Sequence, residues 1–192
     1  MTLEEFFRSV PKAALAFSGG TDSAFLLWAA KHYGCDVKAY YVNTAFQPEF
    51  ERRDAERLAE ELSVPMQIVE LDILGVPEAA ANGPCRCYYC KQAIFTGLWN
   101  AAKADGYSVL LDGTNASDDA GDRPGMQALK ELSVRSPLRE CGITKQEVRN
   151  LSREAGLFTW EKPAYACLAT RIPTGTRIEK EDLRKVEQAE TA

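Results

Sequence analysis

Two stretches of the chain carry residues whose types and spacing can do chemistry. The first is Ser18-Gly19-Gly20-Thr21-Asp22-Ser23. Two adjacent glycines let the backbone turn sharply and bring N–H groups against a ligand. The apolar run Ala13–Phe17 before them reads as a buried strand, and residues 21–33 after them as a helix. The N-terminal end of that helix favours an anion at the same spot. The hydroxyls of Ser18 and Ser23 can donate to phosphate oxygens, and Asp22 can hold a Mg2+ that neutralises them. Neither Gly-x4-Gly-Lys-Ser/Thr nor Gly-x-Gly-x-x-Gly is present. The loop is therefore neither a Walker loop nor a dinucleotide fingerprint.

The second stretch is sulfur-bearing. Three of the six cysteines are close together, at Cys85, Cys87 and Cys90. Cys87-Tyr-Tyr-Cys90 stands at the start of a helical pattern, and its spacing suits several chemistries. It fits a redox pair, or half of a zinc site completed by Cys85, Cys141 or Cys167. It also fits iron–sulfur ligation with a distant third thiolate, which leaves one iron open to an extra sulfide. Plain structural thiols are the remaining alternative. Cys167 lies between Lys162 and Arg171, which predicts a lowered pKa and a nucleophilic thiolate. Cys35 and Cys141 read as packing residues. A single histidine, His32, makes a His-based triad or a multi-His metal site improbable, and it reads as a surface or half-buried side chain.

The elements that must position these groups alternate in type. Strands are predicted at Ala13–Phe17, Val37–Val42, Met66–Leu71, Ser108–Leu111 and Val134–Leu138. Helices are predicted at 21–33, 48–62, 88–104 and 125–132. Such alternation predicts an α/β fold, a doubly wound and mostly parallel five-stranded sheet with helices on both faces. Ligands of such sheets bind beyond the C-terminal strand ends. Asp112-Gly113-Thr114-Asn115 follows the fourth strand and reads as a second ligand-facing loop, or as an ordinary Asp-Gly turn. Thr144-Lys-Gln-Glu147 is a capping box, with Ile143 placed to staple onto Val148 and Gly156 to end the helix. Thr176-Arg-Ile-Glu179 reads as another capping box, opening a helix that runs to the last residue. The expected division is a nucleotide-binding domain over 1–158 and the start of a C-terminal substrate and sulfur-transfer region over 159–192, cut short.

With 192 residues and a net charge of −5, the chain is large enough for one sizeable core, and its acidic balance argues against a large nucleic-acid footprint. No apolar run is long enough to span a bilayer, and Met1–Phe7 lacks the order of a signal peptide. A cytoplasmic location without membrane or nucleic-acid partners is expected.

The Ser18–Ser23 loop is similar to the PP-loop of the adenylating ATP pyrophosphatases, which release pyrophosphate while AMP goes to the substrate. More of the chain resembles one branch, the LarE-type ATP-dependent sulfur transferases of nickel-pincer cofactor biosynthesis. Arg86-Cys-Tyr-Tyr-Cys-Lys91, Asp112–Asp118, Gly121–Gly125, Arg135–Leu138, Glu161-Lys-Pro163 and Cys167–Thr176 follow in that family's order, over roughly residues 10–190. Cys85 and Ser117 depart from its pattern. The resemblance implies ATP and Mg2+ as cofactors, with Ser18, Gly19, Gly20, Asp22 and Ser23 on pyrophosphate, and Asn43, Thr44, Thr114 and Asn115 around the rest of ATP. It implies pyridinium-3,5-biscarboxylic acid mononucleotide as substrate, with Arg123 and Arg171 near its anionic groups. Its sulfur comes from Cys167 itself, or from a 4Fe-4S cluster held by Cys87, Cys90 and Cys167. Homo-oligomeric rings are implied in the same way. The nearest rivals are another PP-loop enzyme, such as a 4Fe-4S tRNA thiolase, and a non-catalytic ATP-binding or zinc-stabilised module.

Overall fold

Thr2 opens the first helix, α1 (Leu3–Ser9), through a complete capping box with Glu5. The next segment, β1 (Lys12–Ala16), is so poor in polar side chains that a central place in a sheet is its natural setting. The computed structural model describes residues 1–118 and 123–192, apart from the side chain of Arg123. From β1 the chain runs through α2 (Thr21–His32), β2 (Asp36–Asn43), α3 (Glu49–Glu61) and β3 (Met66–Glu70). It continues through the short α4 (Pro77–Ala80), the long α5 (Arg86–Ala104), β4 (Leu110–Leu111), α6 (Arg123–Glu131), α7 (Pro137–Glu140), α8 (Lys145–Glu154) and α9 (Lys180–Thr191).

The sheet is parallel, with strand order β3-β2-β1-β4. Connections after β1 and β2 wind one way; after β3 the chain crosses back to the far side of β1. The topological switch point therefore lies between β1 and β4, and the loops that leave those two strands diverge there into a crevice. The fold class is as expected, but its fifth strand is reduced. Val134–Leu138 contributes a single parallel bridge, Leu111 to Arg135, because Pro137 has no N–H for a ladder and starts α7 instead.

Adjacent β2 residues point to opposite faces. Tyr41 joins a core with Phe6, Phe7, Leu15, Leu26, Leu27 and Leu58 beneath α1, α2, α3 and α8. Tyr40 joins a second core with Phe95, Leu98, Leu110 and Leu129 beneath α5 and α6. Each large side chain so buried contributes about 1.5–3 kcal/mol of transfer free energy. A third cluster forms beyond the strand ends, where Leu168, Ala169, Ile178 and Leu183 pack against Phe46, Ile73 and Cys90. The fully buried Asn82 locks this region, its amide donating to the carbonyls of Ile172, Pro173 and Thr176 at 3.2, 2.9 and 3.1 Å.

The Thr144–Glu147 capping box forms as expected, with Ile143 and Val148 in the first core, and Gly156 takes a left-handed φ of 72° just past α8. The box expected at Thr176 does not. Pro173–Thr176 is used as a turn, Ile178 is pinned to Ala80, and α9 starts after Glu179 without a side-chain cap.

Candidate active site

The loop 18–20 leaves β1 and runs straight into α2. Gly19 has φ 72°, and a Cβ there would sit 3.0 Å from both Ala55 N and Glu51 O, so α3 lies against bare backbone. Gly113, in the loop after β4, is pressed as closely on α2: its Cβ would stand 2.9 Å from Ser23 N. Two glycines thus let two loops and one helix N-terminus converge. Ser18 Oγ and Ser23 Oγ lie 3.0 Å apart, and Gly20 N donates to Ser18 Oγ at 3.3 Å, which holds the loop in its turn.

A cavity of about 590 Å³ opens over this loop. One wall is Ser18, Gly20, Asp22 and Ser23; a second is Asp112, Gly113, Thr114 and Asp118; a third is Lys162 to Tyr165 with Cys167. Val42, Tyr40, Ile94, Phe95 and Leu98 supply an apolar side between β2 and α5.

Two lysines from distant segments line the cavity beside this loop. Lys145, the first residue of α8, pairs with Asp22 at 2.5 Å, and Asn115 Nδ2 donates to the other Asp22 oxygen at 3.2 Å. Lys162 donates to Gly19 O at 3.2 Å and pairs with Asp54 at 2.6 Å. The backbone that carries Lys162 is pinned twice. Thr21 Oγ1 donates to Thr159 O at 2.9 Å, and Arg149 donates to Trp160 O at 2.6 Å and to Lys162 O at 2.9 Å.

Two carboxyls in the walls depart from ordinary behaviour. Burial lifts Glu51 to about 7, against the pull of Lys162 and with a push from Asp54. Nearby, the buried Tyr41 hydroxyl has no hydrogen-bond partner among the described residues. Burial also raises Asp112, although the Ser136 and Thr114 hydroxyls donate to it and Lys91 opposes the shift.

Of the thiols, Cys167 alone lines the cavity. Cys90 is buried in the third core and pushed up to about 12, chiefly by desolvation. Cys87, Cys90 and Cys167 each lie within electrostatic reach of the other two. Among the described residues, however, no three His, Cys, Asp or Glu side chains stand in ion-holding geometry. Cys167 lines the same cavity as the phosphate loop. Its expected low pKa is corrected: burial raises it, and the cation that opposes the rise is Arg86. Lys162 is turned to Gly19 and Asp54. Arg171 pairs with Glu190 and is within electrostatic reach of the Cys167 thiol, but burial still outweighs its pull. Cys85 is exposed at the start of α5, Cys35 and Cys141 are packing residues, and His32 is exposed and stacked on Trp28 at 4.6 Å.

Other expected site residues are distributed unevenly. Thr114 lines the cavity and Asn115 supports Asp22 from behind. Asn43 instead donates to Glu70 at 2.9 Å, and the buried Thr44 hydroxyl shapes its own loop by accepting from Phe46 N at 3.0 Å; neither lines the cavity. Arg171 does not line it either. The Arg123 side chain lies outside the described residues. Ser117, in the place of an expected acid, accepts from Lys145 N at 3.0 Å and so steadies the start of α8. Lys145 and Glu51 were not anticipated. Lys145 follows a legible helix cap, but nothing local in sequence shows which way that helix aims it.

A parallel sheet, a Gly-Gly loop at its switch point and a cavity with polar walls and an apolar side are the features of a nucleotide-binding enzyme of the PP-loop class. Comparison with known proteins agrees. The family model of the queuosine biosynthesis protein QueC matches residues 12–81. An uncharacterized protein of Synechocystis is 38% identical over 98% of this chain and 70% of its own length. The pyridinium-3,5-bisthiocarboxylic acid mononucleotide synthase of Lactiplantibacillus plantarum is 34% identical over 98% of this chain and 69% of its own length. A tRNA-specific 2-thiouridylase of Clostridium botulinum is more distant, 25% identical over 78% of this chain. The chain belongs to the LarE family of ATP-dependent sulfur transferases, the family of the Lactiplantibacillus synthase. It is an enzyme that uses ATP to transfer sulfur.

Proposed function

We propose that the chain adenylates a carboxylate of pyridinium-3,5-biscarboxylic acid mononucleotide and converts it to a thiocarboxylate. A carboxylate oxygen attacks the α-phosphorus of ATP, the Pα–O bond to the β-phosphate breaks, and pyrophosphate leaves. A sulfur nucleophile then adds to the acyl carbon and AMP departs. The observation that carries this is the common cavity: Cys167 and the Ser18–Ser23 loop face the same space.

Ser18, Gly19, Gly20 and Ser23 would bind the departing pyrophosphate, and Lys162 and Lys145 would neutralise it. Asp22 would hold Mg2+, its Lys145 partner moving to phosphate. The slot between Val42 and Phe95 suits adenine, near the Asn43–Thr44 end of β2, with Thr114 and Asn115 opposite. Residues 1–158 would form the nucleotide-binding part, and 159–192 the sulfur-transfer part, which brings Lys162 and Cys167 to the cavity. A cytoplasmic homo-oligomer is in keeping with six unpaired thiols and with the family.

Three mutually close thiols fit the donor set of a 4Fe-4S cluster by type, although their present arrangement is not a closed ligand set. Cys87, Cys90 and Cys167 would hold it. A bound cluster supplies an expendable sulfide. Sacrifice of Cys167 needs no second thiol, whereas Cys87 and Cys90 both lie within electrostatic reach of it, which favours the cluster as the source. Anaerobic purification followed by iron and acid-labile sulfide analysis tests the choice. About four of each per chain, absent in Cys87→Ala, is the expected result. Iron-free protein that still forms thiocarboxylate, with Cys167 losing its sulfur, would make Cys167 the donor. Failure to release pyrophosphate with the mononucleotide and ATP would overturn the assigned substrate.

A further inference from the structure

Cys167 is not on a regular element. It caps a short 3-10 turn, Leu168–Arg171, and something has to hold its loop against the cavity. The contacts that do so converge on one carboxylate of α9. Arg171 Nε donates to Glu190 Oε1 at 2.6 Å, and a second guanidinium nitrogen donates to Oε2 at 3.2 Å. The Tyr165 hydroxyl donates to the same Oε2. With Arg171 oriented in this way, its remaining terminal nitrogen donates to Ala166 O at 2.7 Å and to Cys167 O at 3.2 Å. Its guanidinium also covers the Tyr165 ring at 4.7 Å.

We propose that Glu190 is a positioning residue for sulfur transfer, acting through Arg171 and Tyr165 to fix the loop that presents Cys167. The helix is built for the task. Leu183, Val186, Glu187 and Glu190 recur at helical spacing, so one face carries both apolar anchors and carboxylates. Leu183 and Val186 seat α9 in the third core. Glu187 accepts from Glu49 N at 2.7 Å, capping the start of α3, whose next turn carries Asp54 to Lys162. Tyr165 completes the link, its ring standing edge-on to Phe50 of α3 at 5.0 Å. Thus α9 ties the sulfur-bearing wall to the phosphate-side helix. Arg171 touches backbone carbonyls rather than the cavity, which makes it a strut and not a substrate ligand.

This rests on Cys167 carrying the sulfur, as donor or cluster ligand. The test measures two rates in the intact chain, with ATP and pyridinium-3,5-biscarboxylic acid mononucleotide. One is pyrophosphate release, which needs ATP and the bound mononucleotide but no sulfur; the other is thiocarboxylate formation followed by mass. Glu190→Ala and Arg171→Met are each expected to leave pyrophosphate release within about twofold and to slow thiocarboxylate formation about tenfold or more. The double variant should be no slower than either single one, because both remove the same strut. Glu190→Asp should recover most of the rate.

Unchanged thiocarboxylate formation in Glu190→Ala, equal loss of both rates, or additive losses would overturn the proposal. So would a raised KM for the mononucleotide in Arg171→Met alone, which would make that residue a substrate ligand. Cys167→Ala separates the two levels. If it still forms thiocarboxylate, Cys167 does not carry sulfur and the underlying function fails. If it does not, while Glu190→Ala is normal, only the strut fails.

Discussion

Glu51 shows how a single side chain reports the electrostatics of the cavity. Its carboxyl is half-buried in the wall near Lys162, yet Lys162 is already paired with Asp54, so desolvation outweighs attraction. Its folded-state value of about 7 lies above the ordinary 4.5. A raised value means that the folded state holds the proton more tightly than the unfolded chain. The cost of burying an ionised Glu51 is therefore absent below about pH 4.5, grows as the pH rises to about 7, and stays constant above that. Glu51→Gln keeps the shape of the protonated acid and is expected to be neutral near pH 4. Near pH 8 it should stabilise the nucleotide-free protein by about 1–3 kcal/mol. Urea midpoints at the two pH values check this, and an equal gain at both would show that charge is not the cause.

Helix α8 links local sequence to the site more directly than any other element. Thr144 and Glu147 satisfy each other's backbone N–H groups at its start. The next residue, Lys145, reaches Asp22, and Arg149, one turn further on, holds the carbonyls that carry Lys162. Thr144→Ala is expected to cost about 1 kcal/mol of stability. Because fraying would also withdraw Lys145, it should weaken ATP binding severalfold, whereas the like change at Thr2 of α1 should cost stability alone. Calorimetric titration with Mg·ATP beside urea unfolding distinguishes the two. Both capping boxes obey a local rule, yet only the second was read from the sequence; Thr2-Leu-Glu-Glu5 carries the same signature.

The strands were legible because β1 and β2 are nearly continuous apolar runs, and the phosphate loop because strand, Gly-Gly turn and helix are consecutive. What was not legible depends on distance. Val134–Leu138 has strand composition, but Pro137 and a sheet edge leave it one bridge. Thr176–Glu179 has capping composition, but Asn82 claims its turn for packing. The environment of Cys167 is set first by burial and then by Arg86, which is distant in sequence, while Lys162 is paired on α3 and Arg171, although within reach of the thiol, is shared with Glu190 of α9.

At the scale of the molecule, the cavity is assembled from parts that have no reason to stay together without each other. The loop after β1, the loop after β4, the start of α8 and the 162–167 segment all border it, and repelling or paired charges fill its floor. A ligand that bridges those parts stabilises the whole fold, since the unfolded chain cannot bind it. Mg·ATP at about 100 times its dissociation constant should add about 2.7 kcal/mol. For a chain of this size that is about 5–10 °C in the unfolding midpoint. Pyrophosphate with Mg2+ should give a smaller part of the shift, because it leaves the apolar slot empty. Lys162→Ala tests whether the 162–167 wall belongs to the nucleotide site. Losing most of the shift, with the unliganded midpoint little changed, means that the sulfur-bearing segment closes over ATP itself. A full shift in Lys162→Ala would confine ATP to the loops of β1 and β4 and leave the 162–167 wall to the second substrate.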